Sequence, residues 1–430
     1  MERMSELAAQ PARSRPTWWK WWICTLLLLA TTINYMDRQT LASTSTRITQ
    51  EFRLSEEQYG TLELYFGLAF AVGASLFGFI ADRTSVRWLY PAVLVLWSIM
   101  GFSTGMAQTY AGLLICRALL GFFEAGHWPC ALKTTQRLLA PKDRTLGNSI
   151  LQSGTSIGAF ATPLLMNVML TNEPGSWRFV FQAIGAVGMI WIVFWFLSVR
   201  EEDLNQPPPE DPVAGNSPLT TSATPDEASY WSVVFSRRFL VLLVVVVAIN
   251  ACWHVFRVWL PKFLIQGRGY EEKSALYFTS LYYVATDVGC LSAGAASIWL
   301  HRRGLSVRVS RTLVFTICAG MTALSALVPF LPAGWPLLVL LLLIGFGSLG
   351  QFPCYYSFSQ QLSVRHQGKI SGLLGTFAWA VSAPIHKFFG RLIDQTGKFD
   401  MGLTIAGWAP LVAALVLWLF WKDTADPKPS

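Results

Sequence analysis

Charge is what this chain has least of. Only 13% of its 430 residues are Asp, Glu, Lys or Arg, against about 25% in an ordinary soluble domain, and that shortage excludes a soluble globular fold. Catalytic signatures are missing as well. There is no HExxH, and the five His are scattered. GxSxG occurs only inside long apolar segments, at 101–105 and 154–158, not at the strand-to-helix turn that makes a nucleophile elbow, so neither a membrane-embedded enzyme nor a metal centre is expected. Cys24, Cys116, Cys130, Cys252, Cys290, Cys318 and Cys354 all fall inside apolar segments, two of them in the fourth, with no CxxC. An odd total without paired spacing argues against a disulfide framework and for small packing residues. The net charge of +8 comes with no basic run interleaved with aromatics, so no nucleic-acid partner is expected. The Lys and Arg sit in short loops instead, where they orient membrane helices.

Apolar residues are plentiful: 53% of the chain is hydrophobic and 19 residues are Trp. Apolar segments of about 20 residues, long enough to cross a hydrocarbon layer, recur at 20–45, 58–80, 88–108, 111–136, 145–170, 177–198, 238–264, 274–300, 310–331, 335–361, 369–392 and 400–421. Lipid offers no water to open sheet edges, so these segments are read as helices. The expectation is an all-α membrane protein of twelve transmembrane helices in two six-helix halves. The one long polar interval, 201–230, is rich in Pro, Ser, Thr and acids and cannot pack a core. The expected organisation is therefore a cytoplasmic tail at 1–19, a half at 20–198, a cytoplasmic linker at 199–237, a second half at 238–421 and a cytoplasmic tail at 422–430. Arg3, Arg13, Arg15 and Lys20 precede the first apolar run as in a signal peptide. The run continues without a small-x-small cleavage site, so it reads as an uncleaved span. Most loop Lys and Arg then fall on the side of the termini, among them Arg83, Arg87, Arg137, Lys142, Arg144, Arg237, Arg238, Arg302, Arg303, Arg365 and Lys369, and both termini are expected to be cytoplasmic.

The halves repeat each other. Gly121, Gly126, Pro129 and Cys130 in the fourth segment match Gly345, Gly350, Pro353 and Cys354 in the tenth, GxxxxGxxPC in both. Placement in the corresponding helix of each half points to duplication.

Ionisable residues inside these segments cost about 2.5–3.5 kcal/mol each on insertion scales, and they persist where they face a protein interior or wet cavity. Asp37 and Arg38 stand inside the first segment, in the stretch TTINYMDRQTLAST. Adjacent helical residues do not face each other, so each needs a partner elsewhere. Arg117, Glu124 and His127 share one face of the fourth segment. In the seventh, Arg257 is one turn from Trp253 and His254, and Asp287 lies within the eighth. Arginine forks match carboxylates bidentately, which makes Arg38 and Arg257 candidate anion ligands. Arg257 either binds substrate or pairs with Asp287, and Arg117–Glu124 is either a static pair or part of a coupling network. Counted together, Arg38, Arg117 and Arg257 balance Asp37, Glu124 and Asp287, all facing one shared hollow. Tyr65, Gln152, Gln351, Tyr355 and Trp379 are weaker candidates for polyol hydrogen bonds or ring stacking, with Tyr356, Ser359, Gln360, Ser382 and His386 of similar standing; polar residues also join membrane helices to each other.

The six-plus-six arrangement, the central linker and the loop Gly78-Phe79-Ile80-Ala81-Asp82-Arg83-Thr84-Ser85-Val86-Arg87 resemble the major facilitator superfamily, with Ser85 where that family's second loop glycine is usual. NYMDRQTL, RALLGFFEAGHWP and WLPKFL are similar to its anion:cation symporter branch, closest to bacterial hexuronate and sugar-acid transporters; Arg257 departs from that pattern. The resemblance implies gating for Asp82, Arg83 and Arg87, and proton coupling for Asp37 and Glu124. It also implies a proton-coupled symporter of a small organic anion in the bacterial inner membrane. Such a protein needs no cofactor beyond the proton gradient, has the lipid bilayer as its surroundings, and is expected to act as a monomer. Efflux of amphipathic compounds, or a non-transporting sensor on the same fold, are the alternatives.

Overall fold

The computed structural model describes residues 16–139, 141–205, 230–359, 361–362 and 367–421. Twelve long helical segments cross the molecule. They are α1 (Thr17–Ser43, extended by Ser45–Glu51), α2 (Glu56–Arg83), α3 (Val86–Thr104), α4 (Tyr110–Glu124 and His127–Leu138), α5 (Pro141–Met169) and α6 (Trp177–Ser198) in the first half. The second half holds α7 (Arg237–Lys262, with a π-helical turn Phe263–Gly267), α8 (Glu272–Arg302), α9 (Val307–Ala323, closing in the 3₁₀ turns Leu324–Phe330), α10 (Trp335–Gly350 and Phe352–Ser359), α11 (Gln367–Thr396) and α12 (Asp400–Phe420). Seven of them, α2, α3, α6, α7, α9, α10 and α12, are long and apolar enough to cross a membrane by composition alone. The others fall short, α4 through its break and the rest through polar residues along their length. Residues 1–15 of the expected N-terminal tail, the tail 422–430 and most of the linker lie outside the described residues, and α1 begins at Thr17, three residues before the expected span. The linker's two ends are short helices, Glu201–Asn205 and Tyr230–Val234.

The repeat shows in the backbone. α4 breaks between Glu124 and His127, and α10 breaks at Gln351, within two residues of the same point of GxxxxGxxPC in each half. Pro129 and Pro353 then fall in the first turn of the new helix, where a missing N–H costs nothing. The upstream glycines permit close crossings: a Cβ on Gly121 would sit 2.3 Å from the Phe66 carbonyl oxygen of α2.

Packing joins the halves most closely at one end. One core cluster mixes both halves, with Leu41, Tyr59 and Trp177 from the first and Trp259, Tyr282, Phe389 and Leu403 from the second. Of the other two clusters, one is built almost wholly from the first half and the other wholly from the second, both towards the face of the termini. α2 and α11 set this geometry. At the end away from the termini a Cβ on Gly60 would lie 2.1 Å from the His386 carbonyl oxygen, and one on Gly390 2.0 Å from that of Glu56. Towards the termini, Gly78 of α2 and Gly372 and Gly375 of α11 would meet nothing within 4 Å. The two halves touch at one face and part towards the other.

Ion pairs reinforce the closed face. Arg47 meets Glu272 at 2.6 Å, Arg391 meets Glu57 at 2.8 Å, and Lys262 pairs with Glu56. Asp394 accepts the backbone N–H groups of both Glu56 and Glu57 at 2.8 Å. The next donor, Gln58 N–H, goes to the Ser55 hydroxyl in a capping box. The first three free donors of α2 are therefore satisfied, two of them by a carboxylate of the other half.

Candidate functional site

The charged residues of α1, α2, α4 and α7 meet in the middle of the molecule. Arg38 donates from Nε to Glu124 Oε2 at 2.7 Å. Its guanidinium stands near the rings of Tyr35, Phe66, Phe70 and Trp379, with Phe70 at 4.8 Å and Trp379 at 5.6 Å from the guanidinium carbon. Arg38 Nη2 and Glu124 Oε1 have no hydrogen-bond partner. Aromatic faces attract a cation while excluding water, so this charge is both held and desolvated.

Arg117 and Arg257 converge on Glu63. Arg117 Nη2 reaches Glu63 Oε1 at 3.0 Å and Arg257 Nη2 reaches Oε2 at 2.9 Å. The pairing crosses from one half to the other. Arg257 Nε also donates to His254 Nδ1 at 3.3 Å, and the His254 ring lies 4.3 Å from that of Trp379. Trp379 thus stands between the Arg38 and Arg257 surroundings.

Glu63 has no place among the sequence-level candidates. Neither of the pairings left open by the sequence forms: Arg117 is held by Glu63 rather than Glu124, and Arg257 pairs with Glu63 rather than Asp287. Asp287 accepts from Ser156 of α5 at 2.7 Å, so it joins the halves without entering the arginine cluster. The expected balance of three arginines against Asp37, Glu124 and Asp287 becomes three against Asp37, Glu63 and Glu124. The cluster is also packed, not open. Glu124 and Arg117 are 0% exposed and Arg38 only 3%, because the surrounding aromatic rings and the joined halves cover them.

Asp37 points at α3, where a Cβ on Gly101 would sit 3.0 Å from its Oδ1. Neither carboxylate oxygen has a hydrogen-bond partner, nor does either amide atom of Asn34 one turn earlier. His127 has both ring nitrogens engaged, Nδ1 with the Tyr90 hydroxyl at 2.9 Å and Nε2 with Thr31 at 3.0 Å, which leaves it no atom for a ligand. Trp253 is buried with its ring 6.0 Å from Tyr283, whose hydroxyl accepts from Gln39 of the other half. Gln351 is buried at the α10 break with its amide unpartnered. Tyr355 is buried in the second half's own cluster, while its neighbour Tyr356 is 51% exposed. Tyr65 is 50% exposed and apart from the arginines, and Gln152 is exposed one turn from Ser156.

In the α2–α3 loop, Arg83 stacks over Phe79 and Arg87 over Trp88, contacts within one half. Lys133 of α4 caps the end of α2 through the Ala81 carbonyl. The Asp82 side chain, the side chains of Lys142 and Arg144, and residues Gln360 and Arg365 lie outside the described part. Among the described residues no group of His, Cys, Asp and Glu is placed to hold a metal. All seven cysteines are free, and five are buried.

Known proteins share this architecture. The hexuronate transporter of Escherichia coli (strain K12) is 24% identical over 405 residues, 93% of each chain. The galacturonate transporter of Dickeya chrysanthemi is 22% identical over 78% of this chain and 92% of its own, and the D-galactonate transporter of Escherichia coli O6:H1 is 27% identical over 71% and 72%. Among solved structures, a bacterial homologue of the human lysosomal transporter Spinster, inward-facing and unoccupied, superposes with a TM-score of 0.77 at 18% identity, over 96% of this chain and 100% of that one. The nucleoside transporter NupG gives 0.66 at 13% identity over 94% and 100%. The model of the Major Facilitator Superfamily matches residues 27–385, and the chain belongs to that family of membrane transporters.

Proposed function

We propose that this chain is a proton-coupled symporter importing an organic anion, a sugar acid of the hexuronate or aldonate type, through a bacterial inner membrane by alternating access. The relatives named above carry sugar acids, and the arginines here supply the charge such a substrate needs. The observation that carries the reading is the Arg38 fork. One nitrogen is held by Glu124 and another is unpartnered, beside an Asp37 with no hydrogen-bond donor at all. A buried carboxyl without donors is cheapest in its neutral form, which casts Asp37 as a proton carrier.

The cycle follows from charge. A proton on Glu124 releases Arg38 Nε, and the fork then presents two donors to a substrate carboxylate while the sugar stacks on Trp379. Loss of that proton returns Glu124 to Arg38 and expels the carboxylate. Proton and anion therefore move together, and no further cofactor is required. With the termini in the cytoplasm, the face closed by Arg47–Glu272 and Glu57–Arg391 is periplasmic. The structure then corresponds to a form facing inward.

The test is uptake of radiolabelled D-glucuronate and D-galactonate into proteoliposomes with an imposed inside-alkaline gradient. Accumulation should rise with the gradient. Glu124→Gln should abolish accumulation while leaving exchange of internal for external substrate. Uptake indifferent to the gradient, or accumulation unchanged in Glu124→Gln, overturns the proposal.

A further inference from the structure

Glu63 is a carboxylate that the chain itself supplies to two guanidinium groups, and it occupies the position a ligand would seek. Arg257 and Arg117 each give it one nitrogen, at 2.9 and 3.0 Å. The remaining Arg257 Nη1 and Arg117 Nε and Nη1 are buried without partners. Among the described residues no third acid pairs with either arginine, and Asp287 is engaged by Ser156. The Arg257 surroundings are continuous with those of Arg38, since His254 contacts both Arg257 and Trp379, and Trp379 faces Arg38. Two arginine sites thus flank one indole. One is held by Glu124 alone, the other by Glu63 with both of its oxygens committed.

We propose that Glu63 is a built-in occupant of a second anion subsite at Arg257, and that it sets the charge of the substrate this transporter accepts. This rests on the reading of the arginine cluster as a sugar-acid site. A ligand with one carboxylate docks on Arg38 and leaves Glu63 in place. A ligand carrying carboxylates at both ends places its second charge against Glu63, whose repulsion and prior claim on Arg257 exclude it. Aldonates and uronates are therefore substrates, and aldarates are rejected by a single side chain. An isosteric amide removes both obstacles: Gln at position 63 carries no charge, and a carboxylate of the ligand becomes the best partner for Arg257 and Arg117.

Equilibrium binding decides this without any proton gradient. Galactonate and galactarate, matched in carbon chain and differing in one carboxylate, are titrated against the full chain in lipid nanodiscs by calorimetry. Wild type should bind galactonate at least tenfold more tightly than galactarate. Glu63→Gln should reverse that preference, with galactarate gaining at least tenfold and galactonate changing less than threefold; adding Arg257→Gln should remove the gain. A wild type that binds both anions equally, or a Glu63→Gln protein with an unaltered ratio, overturns the proposal. So does a Glu63→Gln protein that binds neither anion. Galactarate bound by Glu63→Gln when wild type binds neither anion upholds the subsite while removing the import reading. If Glu63→Gln aggregates, Glu63→Asp replaces it. The shorter arm cannot span both guanidinium groups, and galactarate should gain at least threefold; no gain overturns the proposal.

Discussion

Asp394 offers the most direct access to the conformational equilibrium. It belongs to α11 in the second half, yet its carboxylate accepts the first two N–H groups of α2 in the first half, each at 2.8 Å. Separating the halves at this face must break both bonds, whereas the Ser55 capping box travels with α2 and stays intact. Replacing a capping side chain by Ala costs about 0.5–2 kcal/mol, and a negative charge at a helix N-terminus contributes about 0.3–1 kcal/mol. Asp394 is exposed, so the lower part of those ranges applies, about 1–2 kcal/mol in total. The loss falls on the state closed at this face and hardly at all on the state open there. Asp394→Ala should therefore raise the open-to-closed ratio about 5- to 30-fold. Asp394→Asn, which retains one acceptor without the charge, should fall between wild type and Ala. Spin labels at Arg53 and Lys398, read by pulsed electron resonance in nanodiscs, report the ratio as the weight of the longer distance. An unchanged distance distribution in Asp394→Ala would refute the idea that this cross-half cap stabilises the closed face.

Gly60→Ala should keep the same face from closing, because its Cβ would lie 2.1 Å from the His386 carbonyl oxygen; disulfide formation between Glu57→Cys and Arg391→Cys should drop severalfold. Gly372→Ala is the control, since nothing stands within 4 Å of that position, and equal cross-linking in both variants would contradict the packing argument. Arg38→Ala should abolish galactonate binding and lower the thermal midpoint, since stranding a buried partner costs about 3–5 kcal/mol. Adding Glu124→Gln to Arg38→Ala should restore much of the midpoint but none of the binding, and a midpoint unmoved by Arg38→Ala would deny the pair its weight.

Much of the fold is legible in the sequence because lipid restricts the choices. Apolar length locates the helices, and the GxxxxGxxPC repeat identifies the two helices that break. Asp37, Arg38, Glu124 and Arg257 stand out because an ionisable group deep in an apolar run has few structural explanations. Glu63 escapes for a local reason. It sits in EEQYGTLELY, five residues inside the segment at 58–80 and close behind Glu56 and Glu57, so it stands near a segment end rather than deep in an apolar run. α2 begins at Glu56, so Glu63 lies seven residues on, about 10 Å along the axis, inward of that end and on the face that meets Arg117 and Arg257. Pairing is harder still to read. Arg117 and Glu124 share a face of α4, which suggested each other as partners, yet each turns to a different helix. Spacing along one helix reports which residues look the same way. It says nothing of what approaches from outside, and here α1 and α2 approach first.

The contacts between halves also differ in kind along the molecular axis. The Arg47–Glu272 and Arg391–Glu57 pairs at the closed face are partly exposed, so they can be exchanged for water at little cost as the halves rock. The Glu63–Arg257 pair is different, being almost fully buried on both sides. Parting it without replacement would strand two charges in a medium that solvates neither. An opening motion through this level therefore needs Glu63 to remain with Arg117 and Arg257 to acquire another anion, or needs Glu63 to be neutralised while Arg257 is served by a ligand. On the proposed symport reading a substrate with one carboxylate docks on Arg38 and leaves Glu63 in place, so it meets neither requirement. The halves would then pivot about an intact Glu63–Arg257 pair, and parting that pair stays costly whether or not substrate is bound.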